Sequence, residues 1–271
     1  MSQEVANLCR IMREAVRRNQ RQFLVGAALT GWRKLILGVL PSFLATGSAC
    51  AQTSYEAQRN VLVNEIAREV RETRSYTGIS RLDSAVMDAV RTVPRHEFVP
   101  AQLRQSAYAN RPLPIGDGQT ISQPYIVALM TDLAEVGPGS TVLEVGTGSG
   151  YQAAVLAEIV DHVYTIEIIG ALGRRAAGTL ERLGVDNVTV RIGDGYLGWP
   201  EHAPFDAIVV TAAPTAVPPP LIEQLKIGGK LVVPVGPEGR GQSLQVLEKQ
   251  PDGDITTTEV LPVRFVPFTR D

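Results

Sequence analysis

"LEVGTGSGYQ", Leu143 to Gln152, decides how the rest of the chain is read. Its apolar lead-in, "TVLEVG" (141–146), has the length and β-branched content of a short buried strand, and residues 151–160 read as a helix. Between them stand three alternate glycines, Gly146, Gly148 and Gly150. Glycine there lets the backbone turn sharply and lets a ligand approach where a Cβ would collide. Strand, glycine-rich turn and helix together are the opening unit of a doubly wound α/β fold.

Outward from this stretch the chain alternates. "HVYTIEI" (162–168) reads as a strand and "ALGRRAAGTLERL" (171–183) as a helix with Leu172, Ala176, Leu180 and Leu183 on one face. "VTVRI" (188–192) and "DAIVVT" (206–211) are further strands. "KLVVPV" (230–235), "SLQVLEK" (243–249) and "EVLPVRFVPF" (259–268) follow with little helix between them. Alternation predicts βαβ units and a mostly parallel sheet, and the strand-rich ending predicts a late antiparallel strand at its edge.

The strand ends carry the candidate chemistry. Glu167 closes the second strand, 21 residues after Gly146, where a doubly wound fold puts a carboxylate that accepts from ribose hydroxyls. Asp194 stands between Gly193 and Gly195 in "IGDGYLGWP" (192–200), placed to accept from an adenine amino group in the same crevice. In isolation it is equally an Asp-Gly turn. A dinucleotide fingerprint would need its third glycine at Tyr151; the spacing is G-x-G-x-G, with Glu144 inside the strand end and no Lys or Arg near to meet a phosphate. Such a pocket suits a nucleoside with a neutral or positive tail, S-adenosylmethionine better than NAD.

Ahead of the glycine loop the pattern is helical. Leu62, Ile66 and Val70 recur at i, i+4, i+8, and Ser80-x-x-Asp83 resembles a capping box before Leu82, Val86, Val90 and Val93, with Pro94 as a stop. Next comes "IGDGQTISQPYIVALM", Ile115 to Met130. Ser122 precedes Gln123-Pro124, and Ile126, Leu129, Met130 and Leu133 follow at helical spacing, so from pattern alone it is a helix cap. A helix start is also suited to an anion.

Bulk properties exclude several classes. The 271 residues carry a formal charge of −2, but residues 1–50 hold seven Lys/Arg against two Glu, a net of +5, leaving −7 on the remainder. An acidic body with few aromatics argues against a nucleic-acid partner. Cys9 and Cys50 form no disulfide framework or zinc spacing, and His96, His162 and His202 are scattered, so no metal is expected. Ser149 lies outside a nucleophile-elbow frame, and no phosphate-binding G-x-x-x-x-G-K-[ST] is present.

Residues 1–54 read as an extension and 55–271 as one domain, with a helical lobe and substrate segment over 55–139 and a cofactor-binding sheet over 140–271. Within the extension, "LILGVLPSFLATG" (35–47) and the small residues Ala49 and Ala51 resemble a secretory signal, and "RRNQRQFL" (17–24) echoes a twin-arginine signal. The long flank before the apolar core and Pro41 within it speak for a plain tail instead, and the run is too short and broken for a stable membrane span.

"VPRHEFVP", "YANRPLPIGDGQTISQPYIVALMTDL", "VLEVGTGSGYQAAVLAEI" and "IGDGYLGWP" together resemble the protein-L-isoaspartate O-methyltransferase family, from about residue 60 to the end. "GQTIS" is the family's distinguishing signature. The resemblance implies a Rossmann-like methyltransferase fold that transfers a methyl group from S-adenosylmethionine to the α-carboxyl of L-isoaspartyl residues in damaged proteins and peptides. The ester would then cyclise to a succinimide. It implies Ser122 as the active-site serine, Thr120 and Ile121 on the substrate side, and Glu144, Gly146, Gly148, Gly150, Glu167, Asp194 and Gly195 at the cofactor, with "VPFT" (266–269) near the substrate. A cytoplasmic monomer is the expectation, or an exported one if residues 1–51 act as a signal. A small-molecule methyltransferase on the same fold is the rival; it gives no reason for the "GQTIS" stretch.

Overall fold

The structure is a computed structural model that describes residues 40–239 and 241–270, with side chains from 55 onward. The chain divides into two units, Met1–Gln58 and Arg59–Asp271. The signal-like stretch expected over residues 1–51 falls outside the described residues, apart from the backbone of helix α1 (Leu40–Glu72).

In the second unit the helical spacing read from sequence is used as burial: Leu62, Ile66 and Val70 of α1 are all buried. A single turn, α2 (Arg74–Thr77), leads to α3 (Ser84–Thr92). The capping box expected at Ser80 is corrected here. Asp83 is the N-cap, accepting from the Ala85 amide at 2.7 Å, and Val86, Ala89 and Val90 form the buried face.

The "GDGQT" stretch is a hairpin, which its sequence did not announce. β1 (Leu113–Gly116) pairs antiparallel with β2 (Gln119–Ile121). Asp117 and Gly118 at its tip both have positive φ, 53° and 72°, as a two-residue type I′ turn requires. Helix α4 (Pro124–Leu133) follows at once, and its N-cap is Gln123, not Ser122; no side chain caps it. Pro124, at the first helical position, loses nothing by lacking an N–H there.

The sheet is then laid down in turn: β3 (Thr141–Val145), α5 (Tyr151–Ala157), β4 (His162–Glu167), α6 (Gly170–Arg182), β5 (Val188–Ile192), β6 (Phe205–Val210), α7 (Pro219–Glu223), β7 (Leu225–Val235), β8 (Gln242–Lys249) and β9 (Ile255–Val263). α5 is shorter than the helix expected to residue 160. The seven strands lie in the order β5-β4-β3-β6-β7-β8-β9. β3 to β7 are mutually parallel, and β8 is antiparallel to both neighbours, the expected late reversal.

The core explains why the sheet is so firmly registered. Leu143, Phe205, Ile208, Val210 and Leu231 are fully buried on one side of it, each worth about 1.5–3 kcal/mol relative to exposure. Strand order reverses between β3 and β6, where the chain leaves β3 toward β4 and returns to add β6 on the other side. The crevice beyond the carboxyl ends of those strands is where doubly wound sheets bind ligands.

Candidate active site

Three strand ends meet at that reversal. Gly146 follows β3, Glu167 ends β4, and Thr211 follows β6. Thr211 Oγ donates to the Gly146 carbonyl at 2.5 Å and lies 3.1 Å from that of Val145. Gly146 has φ +98°, and a Cβ built on it would collide with Thr211 Oγ. Gly148 (φ +53°) has the Ile115 side-chain tip and the Gly146 carbonyl near the position of a Cβ, both at ordinary contact distance. Glycine is needed at these two positions for different reasons: one for its conformation and tight packing, the other for the turn itself.

A groove runs over this loop, lined by Gly146, Gly148, Glu167, Gly195 and Thr211, with Phe268 closing it from the C-terminal side. Both Glu167 oxygens are held by the main chain, Oε2 by the Gly148 amide at 2.7 Å and Oε1 by the Ile169 amide at 2.9 Å. Those bonds fix the carboxylate at the groove wall, and each oxygen keeps a second lone pair for a further donor.

A wider cleft of about 430 Å³ opens beside the groove, walled by Glu69, Ser122, Gln123, Tyr125 and the segment Leu261 to Val266. A third, small cavity lies between the Ser122 segment and the glycine loop, with Glu144, Ser149 and Gln152 in its wall. Thr120 and Thr211 line all three. They are therefore the shared wall at which a ligand over the glycine loop and a ligand in the cleft would meet.

Among the described residues the Ser122 hydroxyl has no hydrogen-bond partner. Its backbone, by contrast, is fixed: the Ser122 carbonyl accepts from Arg95 at 2.8 Å. On the next residue, Gln123 donates its side-chain amide to both Glu69 oxygens at 3.0 and 3.1 Å. Asn110 also donates to Glu69, at 2.6 Å, and accepts from the Tyr125 amide. Burial pushes the Glu69 carboxyl up from its usual range, against the pull of the Gln123 and Asn110 amides.

A description of the protein-L-isoaspartate(D-aspartate) O-methyltransferase family matches residues 66–271. The chain belongs to that family. It is 62% identical over 208 residues to "Protein-L-isoaspartate O-methyltransferase 2" of Polaromonas sp., covering 77% of this chain and 99% of that one. It is 58% identical over 235 residues to the protein of the same name from Syntrophobacter fumaroxidans, covering 86% and 95%. A solved protein-L-isoaspartate O-methyltransferase superposes with a TM-score of 0.67 at 30% identity over 77% of this chain; the chain spans 65% of that structure's length. The fold is shared with a Plasmodium falciparum protein described as a putative family member in complex with S-adenosyl-L-homocysteine (TM-score 0.62, 24% identity, 76% and 98% covered). The fold is that of a Rossmann-like methyltransferase, as the resemblance had implied, with the mostly parallel sheet that the alternation of elements predicted.

The residues expected at the family's site divide by location. Gly146, Gly148, Glu167 and Gly195 line the groove, and Thr120 borders groove and cleft. Ser122 lines the cleft, while Ile121 is buried behind it against the small cavity. Gly150 does not reach the groove: a Cβ there would press on Ala176 and Leu180 of α6, so its small size serves helix packing. Asp194 lies behind Gly195, with Oδ1 accepting from the Tyr196 amide and Oδ2 from Arg270, whose guanidinium stacks on the Tyr196 ring. Glu144 is fully buried under the loop, with Oε2 accepting from Thr165 Oγ at 2.5 Å and Oε1 without a partner. Desolvation pushes its carboxyl up to about 8, so it is mostly neutral at pH 7. "VPFT" borders chiefly the groove, with Val266 shared by the cleft.

Sequence reasoning missed Thr211, Arg95 and Glu69. Thr211 carried a faint signal, as the first residue beyond a buried parallel strand, on the crevice side of the sheet.

Among the described residues no cluster of three or more His, Cys, Asp or Glu is arranged to hold a metal, and no helix is long and apolar enough to cross a membrane.

Proposed function

We propose that this chain methylates the α-carboxylate of L-isoaspartyl residues in damaged proteins and peptides, with the groove over Gly146 and Gly148 as the S-adenosylmethionine site and the cleft at Ser122 as the peptide site. The observation that carries the assignment of the two sites is the shared wall of Thr120 and Thr211 between groove and cleft. A methyl transfer needs two ligands end to end across a wall of that kind. The neighbouring cleft has room for several residues of a peptide, and its unpartnered Ser122 hydroxyl borders the wall.

The groove fits the cofactor by its own chemistry. Gly146 and Gly148 leave the loop bare, Glu167 offers fixed carboxylate lone pairs suited to ribose hydroxyls, and Gly195, backed by Asp194, lines the part of the groove that would hold the adenine. Ile168, Ile169 and Phe268 give the apolar walls that a purine needs. S-adenosylmethionine supplies an activated methyl group on a sulfonium. Glu144 supports the loop from below and has no direct contact in this assignment.

The remaining work falls to orientation and exclusion of water. A carboxylate is ionised at neutral pH, so no general base is required, which accounts for a cleft wall without His, Cys or Lys. The Ser122 hydroxyl donates to the substrate carboxylate and turns one oxygen toward the groove; Thr120 and Ile121 hold the hairpin side of the site. Ser122 forms no covalent intermediate. We further place the enzyme in the cytoplasm, where its methyl donor is made, as a monomer without nucleic-acid partners. An acidic body and two cysteines confined to the first fifty residues support this.

The test is methyl transfer from labelled S-adenosylmethionine to an isoaspartyl peptide beside its normal aspartyl twin. Labelling of the isoaspartyl peptide alone is expected. Equal labelling of both, or labelling of neither while S-adenosylhomocysteine still binds, would sink the assignment. N-terminal sequencing of the protein recovered from separated cell fractions tests the cytoplasmic placement.

A further inference from the structure

Arg95 is fully buried near the site, with no exposed surface at all. It sits in a short 3₁₀ turn, Arg95–Glu97, and reaches inward. Its Nε donates to the Ala107 carbonyl at 2.9 Å and one terminal nitrogen to the Ser122 carbonyl at 2.8 Å. The guanidinium carbon lies 4.8 Å from the centre of the Tyr151 ring, the first residue of the helix that follows the glycine loop. The other terminal nitrogen and the Tyr151 hydroxyl are both buried, and the tyrosine side chain helps to hold the guanidinium's charge. One side chain therefore touches the serine segment on the peptide side and the start of the helix on the cofactor side.

Among the described residues no carboxylate pairs with Arg95; the groups that act on it are Tyr151 and Tyr108. Desolvation lowers its pKa only to about 10, so the group stays charged at neutral pH. A buried, unpaired charge carries a large desolvation penalty, which an opposite charge placed nearby offsets. The Ser122 segment that Arg95 holds lines the peptide cleft, whose wall also carries the cation Arg264, so an anion bound there would lie within reach of both charges.

We propose that Arg95 is a positioning residue for methyl transfer: it sets Ser122 relative to the glycine loop and supplies from beneath the positive charge that holds the substrate carboxylate. The two effects separate in kinetics. Charge favours the anionic ground state and vanishes in importance as the carboxylate loses its charge in the ester, so it governs KM. The fork that joins the Ser122 carbonyl, the Ala107 carbonyl and the Tyr151 face governs alignment, hence kcat. Lysine keeps the first and not the second.

The inference rests on the isoaspartyl reading above, and the wild-type protein run in parallel keeps the two apart. R95K and R95M are assayed as full-length chains for kcat and KM with an isoaspartyl peptide, beside thermal melting and S-adenosylhomocysteine binding. R95K is expected to keep KM within about threefold while kcat falls about tenfold or more, as small misplacements near a reacting centre do. R95M is expected to lose kcat similarly and to raise KM about tenfold as well. Wild-type kinetics in both variants would overturn the role. So would a fall in kcat that merely tracks lost melting temperature and lost S-adenosylhomocysteine affinity, which is what a purely structural arginine predicts. If R95M does not fold, R95K decides: retained KM with reduced kcat supports the role, and parallel loss of both overturns it. A wild type that labels no isoaspartyl peptide sinks the functional reading and this inference together; a labelled wild type with unaffected variants sinks only the inference.

Discussion

Thr211 Oγ donates to the Gly146 carbonyl at 2.5 Å, tying the end of β6 to the first glycine of the loop that follows β3. The bond crosses the reversal in strand order, so it joins the two halves of the sheet at the point where the groove opens. Both a Cβ at Gly146 and the removal of the threonine hydroxyl would disturb it.

Gly146→Ala is expected to weaken S-adenosylhomocysteine binding by at least about tenfold and to destabilise the fold by about 1–3 kcal/mol, the usual cost of a non-glycine residue held in a strained backbone conformation. Adding Thr211→Ala removes the collision but not the strain at φ +98°. The double variant should therefore recover part of the stability lost by Gly146→Ala alone. Calorimetric binding and urea unfolding of the pair measure this coupling; strict additivity would show that the contact is irrelevant.

Ser122→Ala should lower kcat/KM for an isoaspartyl peptide about 10- to 100-fold, since a hydrogen bond to a charged group is worth about 1.5–3 kcal/mol. The melting temperature should not move, because the hydroxyl has no partner among the described residues. Steady-state kinetics beside a thermal melt decide; full activity in the alanine variant rules out its role.

Glu144 gives a pH prediction with a definite sign. Its folded pKa of about 8 lies above that of an unfolded glutamate near 4.5, so the folded state holds the proton more tightly. The resulting stabilisation is complete below about pH 4.5 and is lost progressively as the pH rises to about 8. Glu144→Gln cannot ionise. The stability difference between wild type and E144Q should thus change steadily across that window and level off beyond it. Urea unfolding at a series of pH values tests this, and parallel curves would contradict a buried neutral carboxyl.

Arg175 latches the β1–β2 hairpin onto α6, donating to the Ile115 carbonyl at 2.7 Å and approaching Asp117 at 3.5 Å. Gln119 and Thr120 on that hairpin line the groove. Arg175→Ala is expected to weaken S-adenosylhomocysteine binding a few-fold, with a global stability change of about 1 kcal/mol or less, since its guanidinium is half exposed. Unchanged affinity in a binding titration would mean the hairpin holds its place without the latch.

The sheet was legible because its signals are local: apolar runs bounded by glycine, and helices repeating at three and four residues. The hairpin was not. Strands of four and three residues leave too few positions for an alternation to show, although the Asp117-Gly118 pair at its tip is the residue combination a type I′ turn selects. Ser122 passed for a cap because a serine before Pro124 fits that pattern, yet the helix begins one residue later, from Gln123. Arg95 was invisible for another reason. In "VPRHEFVP" it is one more charged residue in a proline-bounded turn; only the fold brings it to the carbonyl of Ser122, 27 residues away. Glu144 was named at the cofactor only through the family resemblance, and its burial depends on what the neighbouring strands put around it.

β9 is the outermost strand of the sheet, and its end, Leu261 to Val263, runs on into the wall of the cleft. A wall at the rim of a sheet offers amide and carbonyl groups that are the same whatever the visitor's side chains. Damage to aspartate and asparagine arises wherever the surrounding chain happens to be loose, in neighbourhoods with nothing in common. Under the function proposed above, a peptide added along such a rim would be met partly through groups common to every residue, and the lesion would weigh more than its neighbours.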